Sequence, residues 1–86
     1  MTRYTYQFTD KSRKTLKKLP NPVQIRIIKK IKAYINTGSP VQFAEKLHNY
    51  ETGEYRFRIG NYRAIFDIDG YILIFHNVGH RKEIYK

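Results

Sequence analysis

A chain of 86 residues with 41% hydrophobic content forms one small domain, residues 1–86, with a single core. Seventeen Lys and Arg against seven Asp and Glu leave a net charge of +10, which points to a polyanionic partner, nucleic acid or an acidic protein, and says nothing of the fold. The absence of cysteine excludes a disulfide scaffold and zinc–thiolate sites and fits a reducing cytoplasm, and no apolar run or leader suggests a membrane.

The first predicted element is a strand over Arg3–Phe8, where aromatic and polar residues alternate. Thr9 or Asp10 then caps a helix running to about Leu19. Its apolar positions are sparse, chiefly Leu16 and Leu19, and Lys11, Arg13, Lys14, Lys17 and Lys18 occupy much of the rest. Pro20-Asn21-Pro22 ends it, with Asn21 as N-cap and Pro22 as first residue of the next helix. That helix runs to Asn36. Val23, Ile27, Ile31 and Ile35 recur every four residues, Ile28 and Tyr34 widen the stripe, and Gly38 stops it. Residues 39–53 read as a loop, with Phe43, Ala44 and Leu47 touching the core and a short helical turn over Phe43–Leu47.

The last third carries two hairpin signals. Gly60-Asn61 is a two-residue loop with glycine first, and Asp69-Gly70 is the other favoured dipeptide. Three strands follow, Tyr55–Ile59, Tyr62–Ile68 and Tyr71–Val78, rich in Ile, Phe and Tyr. Two-residue loops fix the register. Phe57 then faces Ala64, and Arg58 faces Arg63. Across the second hairpin Phe66 faces Leu73, Ile65 faces Ile74, and Arg63 faces His76. Alternation gathers Tyr55, Phe57, Ile59, Ala64, Phe66, Ile68, Leu73 and Phe75 on a core face. The other face carries Arg56, Arg58, Arg63 and His76 around Ile65, Ile72 and Ile74.

The expected architecture is α+β: a helical hairpin on one face of a four-stranded, largely antiparallel sheet, in the order β-α-α-β-β-β, with the arginine face left open. Arg58 directly opposite Arg63 costs a few tenths to about 1 kcal/mol. A solvated face tolerates that; a polyanion site accounts for it. A membrane surface fits less well, because much of the arginine lies in strands rather than on an amphipathic helix.

The pieces Tyr55-Arg56-Phe57-Arg58, Gly60-Asn61-Tyr62-Arg63 and Gly79-His80-Arg81-Lys82-Glu83-Ile84-Tyr85 resemble the RelE toxins of type II toxin–antitoxin systems, in the RelE/ParE superfamily. The resemblance covers essentially the whole chain and is strongest from Leu47 onward. It implies a ribosome-dependent mRNA endoribonuclease that inhibits translation by cutting mRNA in the ribosomal A site. It also implies neutralisation by a cognate antitoxin, with DNA contacted only indirectly through the toxin–antitoxin complex. The family's basic pair on the first hairpin strand matches Arg56 and Arg58. Its later arginines match Arg63 and Arg81, and its C-terminal tyrosine matches Tyr85. The chain departs from some relatives in having His80 before Arg81, a shorter Arg81–Tyr85 spacing, and no helix after Tyr85.

RNA carries its own nucleophile, the 2′-OH, so cleavage needs a base, an acid and positive charge for the phosphorane. No metal or other cofactor is required. Arginine's planar fork suits phosphate oxygens, but a pKa above about 12 makes it a poor proton carrier. Arg56, Arg58, Arg63 and Arg81 are therefore assigned to substrate binding and charge stabilisation, with Lys82 and His76 as further RNA contacts. Proton transfer falls to Tyr85, whose phenolate neighbouring Arg81 and Lys82 would favour, or to His80, an imidazole being the side chain type suited to acid or base work near neutrality. Gly79 is a candidate for a bulge that swings Arg81 onto the arginine face. His76 and His80 are about 13 Å apart in an extended strand, too far to share a metal. The helix lysines read as solvated faces or contacts to ribosomal RNA backbone. The competing readings are a ParE-like toxin directed at gyrase and a catalytically silent basic module.

Overall fold

The computed structural model describes residues 3–48 and 53–84. Strand β1 (Thr5–Phe8) leads into two helices, α1 (Asp10–Lys17) and α2 (Asn21–Asn36). A 3-10 turn over Pro40–Phe43 and the two-residue strand β2 (Glu45–Lys46) follow. Three longer strands complete the chain: β3 (Tyr55–Ile59), β4 (Tyr62–Asp69) and β5 (Ile72–His80). One mixed sheet results, in the order β1-β5-β4-β3-β2. Among the described residues only β1 and β5 run parallel. The α+β class stands, with a fifth strand added at one edge by Glu45–Lys46, and the expected turn lies earlier, at Pro40–Phe43. A two-residue strand is too short to show an alternating pattern.

Capping explains where α1 begins. The Thr9 side chain accepts the N–H of Ser12 at 3.2 Å, satisfying a donor that the first helical turn leaves open. Ser12 is itself buried and donates to the Phe75 carbonyl at 2.7 Å, which ties α1 to β5. α2 starts one residue earlier than expected. Pro20 takes the cap position, Asn21 lies inside the helix, and no side chain caps it. The Gln24 amide instead reaches back to the Leu19 carbonyl at 2.8 Å and closes the turn between the helices.

The helices bury few apolar residues: Leu16 from α1, Ile27 and Ile31 from α2. These meet Phe57, Ile59, Ala64, Phe66, Leu73, Phe75 and Val78 on one side of the sheet. Phe66 anchors the layer, with ring centroids 4.5 Å from Phe57 and 5.1 Å from Phe75. The core face read from alternation is therefore the observed one for Phe57, Ala64, Phe66, Leu73 and Phe75.

The first hairpin has the expected register: Arg58 opposite Arg63 and Phe57 opposite Ala64. Gly60 adopts φ +59, as a loop with glycine first requires. The second hairpin needs a correction. Its loop is Gly70-Tyr71, not Asp69-Gly70, and Asp69 pairs with Ile72. Gly70 takes φ +62 while no other residue type has positive φ among the described residues, so the turn spares Asp69 a left-handed backbone. Phe66 consequently faces Phe75. A bulge follows, because Phe66 pairs with Phe75 but Ile65 pairs with Asn77, leaving His76 without a partner of its own. Arg63 thus faces Gly79 rather than His76.

Candidate functional site

The sheet surface away from the helices is where the arginines converge. Arg56 and Arg58 come from β3, and Arg63 from β4. Arg58 and Arg63 are directly opposed, yet their guanidinium groups part. Arg63 turns toward the hairpin loop, where Nη1 donates to the Gly60 and Tyr62 carbonyls at 2.9 Å each. It is only 7% exposed. Arg58 turns the other way, toward β2, and its side chain is 61% exposed.

Glu45 explains the parting. It stands opposite Arg56 in the β2–β3 register. Its Oε2 accepts from Arg56 Nη2, and its Oε1 lies 3.2 Å from Arg58 Nη1. The hydrogen bond from Arg56 is the main cause holding the Glu45 carboxyl below its ordinary pKa. Burial opposes this, and the charges of Arg56, Arg58 and Arg63 reinforce it. Sequence reading missed Glu45 because it fell in a stretch taken as loop. The available signal was an acidic residue just upstream of a basic strand.

This face is less open than alternation suggests. Ile65, at its centre, is fully buried. The Gly53 backbone lies across it: a Cβ there would come within 2.6 Å of Ile65 Cγ2. The covering segment is fastened by Leu47 N–H to the Glu54 carbonyl and by Glu54 N–H to Asp67 Oδ1, each at 2.8 Å. Asp67 Oδ2 is 2.8 Å from His76 Nε2. His76 therefore belongs to an Asp–His pair beside this segment, away from Arg63.

After β5 the chain makes a tight turn. Glu83 and Ile84 N–H groups both donate to the His80 carbonyl, at 2.8 and 3.0 Å. Asn77, opposite Ile65, donates from its side chain to the Ile84 carbonyl at 3.4 Å. Arg81 N–H bonds the Asn61 carbonyl at 2.8 Å, extending the β4–β5 ladder to the first hairpin loop. The bulge at His76 sets the alternation so that Asn77, Gly79 and Arg81 share the register of Arg63. The parity change expected near Gly79 is thus made three residues earlier. Arg81 and Lys82 are exposed.

His80 takes a different place. It pairs with Tyr62, on the helix side, and their rings meet edge to face at 5.4 Å. Its Nδ1 accepts the Lys82 N–H at 3.1 Å, which leaves the proton of the neutral ring on Nε2. Tyr85 lies outside the described residues. The structure thus brings Arg56, Arg58 and Arg63 together, sets Arg81 at the same hairpin end, and keeps His76 and His80 apart from them. Arg26, unremarked in the sequence, reaches this end from α2, its Nη1 lying 3.9 Å from where a Gly60 side chain would begin. Among the described residues no group of three His, Asp or Glu side chains could hold a metal ion.

Such a cluster offers charge and planar donors to phosphate oxygens on one shallow surface. Comparison with known proteins gives the family. Residues 6–85 match the model of the ParE toxin of type II toxin–antitoxin systems. The chain belongs to the RelE/ParE superfamily of type II toxins. Toxin RelE3 of Methanocaldococcus jannaschii is 36% identical over 78 residues, covering 84% of each chain. Among solved structures, the RelBE2 toxin–antitoxin complex of Mycobacterium tuberculosis contains a chain similar at TM-score 0.80 and 25% identity, over 93% of this toxin and 100% of that chain. A chain of the RelB–RelE complex of Methanococcus jannaschii is similar at TM-score 0.70 and 34% identity, over 91% and 93%. The match to this toxin begins in β1 and takes in Arg56, Arg58, Arg63 and Arg81.

Proposed function

We propose that this toxin is a ribosome-dependent mRNA endoribonuclease, neutralised by a cognate antitoxin. The observation that carries the reading is the sustained juxtaposition of Arg56, Arg58 and Arg63 on the sheet face that the helices do not cover. Opposed like charges weaken a sheet; Glu45 answers Arg56 and Arg58 within the free toxin, and the positive charge that remains on this face suits a polyanionic substrate. The antitoxin reading is supported by the similar chains having been solved as RelB–RelE complexes.

In this mechanism the 2′-oxygen attacks phosphorus and forms a bond to it while the bond from phosphorus to the 5′-oxygen breaks. One proton leaves the 2′-OH and one reaches the departing 5′-oxygen. Arg63 and Arg81 stabilise the phosphorane, and Arg56, Arg58 and Lys82 hold flanking phosphates. Arg63 is held by two main-chain carbonyls, so little reorganisation is needed when charge develops. Tyr85 is the leading proton carrier. His80 stands second, since its Nδ1 is engaged by the main chain and it faces the helix side. His76 contributes an RNA contact at the margin through the Asp67 pair.

The test is cleavage of mRNA on programmed ribosomes by the purified toxin, with 5′ ends mapped. Cuts confined to the A-site codon support the reading; intact message at stoichiometric toxin ends it. The matched family model, described as a ParE toxin, supports a second reading, a toxin directed at gyrase. Inhibition of supercoiling with no RNA cleavage selects it.

A further inference from the structure

Glu45 is an anion already seated in the arginine cluster. Each carboxylate oxygen serves a different guanidinium, Oε2 that of Arg56 and Oε1 that of Arg58 at 3.2 Å. A phosphodiester offers the same arrangement, two non-bridging oxygens sharing one negative charge, and arginine forks bind both alike. We propose that Glu45 is an internal phosphate mimic: in the free toxin its carboxylate fills the subsite between Arg56 and Arg58, and an RNA phosphodiester displaces it. The inference rests on the RNA-cleaving reading for the identity of the displacing ligand, and on the ion-pair geometry for the rest.

Exposure makes the exchange possible. The Glu45 side chain is 40% exposed and that of Arg58 61%, so an incoming strand reaches both. Glu45 sits on a two-residue edge strand, paired as Glu45–Arg56 and Lys46–Tyr55 and continued by the Leu47 N–H bond to the Glu54 carbonyl. Its side chain can swing to water without disturbing the core, to which neither residue of β2 contributes. Ion pairs at this exposure are weak, so an RNA strand whose neighbouring phosphates meet the exposed Arg81 or Lys82 wins the competition while an isolated polyanion contact gains less. The residue thus tempers nonspecific attraction on a chain of net charge +10 and keeps two opposed arginine strands compatible before substrate arrives.

The experiment measures binding of a 2′-O-methyl RNA oligonucleotide, which cannot be cleaved, to full-length toxin over a range of salt. Glu45→Gln should bind about threefold to fivefold more tightly at low salt, with the slope of log K against log salt steeper by about 0.7, one additional phosphate contact. Glu45→Asp keeps the charge on a stem too short to span both arginines and should fall between; it carries the test if the glutamine variant does not fold. Equal or weaker binding by the variants overturns the proposal. So does unchanged binding with a large loss of single-turnover cleavage, which would put Glu45 on the reacting atoms. Heparin binding separates the two layers of the argument. If the variants gain heparin affinity but no form of the toxin cuts mRNA, the mimic stands and the ribonuclease reading falls.

Discussion

At the scale of single residues, Arg63 joins structural and chemical duties. Two hydrogen bonds from its charged Nη1 fix the first hairpin loop, and such bonds are worth roughly 1.5–3 kcal/mol each before partial replacement by water. Arg63→Ala should therefore lower stability by about 2 kcal/mol, read in a denaturant melt. It should also slow single-turnover cleavage by about a hundredfold or more, the usual loss when one transition-state contact goes. Arg81, whose backbone alone is engaged by the loop, should lose cleavage with little loss of stability on replacement by Ala. Full activity in both variants would misplace the site. For proton transfer, Tyr85→Phe keeps the ring and removes the hydroxyl, while His80→Gln keeps hydrogen bonding and removes the titration. A large rate loss confined to Tyr85→Phe supports the phenol; the reverse result returns the role to His80. Glu45 adds a stability signature. Its carboxyl is held below the ordinary value of about 4.5, so the folded state favours its ionised form. That stabilisation is present above the unfolded pKa and lost as pH falls through the folded one. The stability difference between the parent toxin and Glu45→Gln should shrink as pH falls below that ordinary value of about 4.5, and an unchanged difference would deny the pairing.

At the scale of elements, Gly53 is the tightest point. Its φ of +136 suits glycine, and a Cβ would stand 2.6 Å from Ile65 Cγ2. Gly53→Ala should cost about 2 kcal/mol through backbone strain and overpacking, and amide exchange should show the loss concentrated near Glu54 and Asp67. Nothing in the sequence marked this, because Gly53 ends a stretch with no periodicity and its contact lies twelve positions away, beyond the first hairpin loop. The hairpins show where legibility ends. Gly60-Asn61 was readable, since its turn chemistry and the alternation of the flanking strands agree. Asp69-Gly70 was ambiguous: either loop choice leaves Phe66, Leu73 and Phe75 on the core face, so alternation could not arbitrate. The bulge at His76 was invisible for a related reason, because one extra residue in β5 leaves no mark in composition. It decided the site nonetheless, moving His76 away from Arg63 and bringing the register of Arg81 toward it. The helix stripe and the core survived because several residues vote on each, whereas of the two caps Thr9 held and Asn21 gave way to Pro20.

At the scale of the whole molecule, positive charge lies on two opposite surfaces. The arginine face is one. The other is the outer side of the helices, where Lys11, Arg13, Lys14, Lys17 and Lys18 of the α1 region and Lys29, Lys30 and Lys32 of α2 are all exposed. The first turn of α1 holds Asp10, and that of α2 holds no acid. The two surfaces should do different physical work. Helix lysines are mobile point charges in high dielectric, suited to long-range attraction toward an RNA backbone, and screened within roughly 8 Å at physiological ionic strength. The arginines are partly desolvated and held by carbonyls or by Glu45, suited to a defined phosphate geometry. The expected separation is therefore kinetic. Replacing Lys14, Lys17 and Lys30 together by Gln should weaken ribosome association and flatten its salt dependence, by about 0.7 in slope for each lysine that met a phosphate. The single-turnover rate at saturating ribosomes should stay within about twofold of the parent, because uniform binding is lost rather than transition-state binding. Arg63→Ala should do the opposite, with association little changed and the chemical step slowed. If the triple lysine variant slows the chemical step as Arg63→Ala does, the helices take part in positioning the message, and the division of labour between the two charged surfaces is wrong.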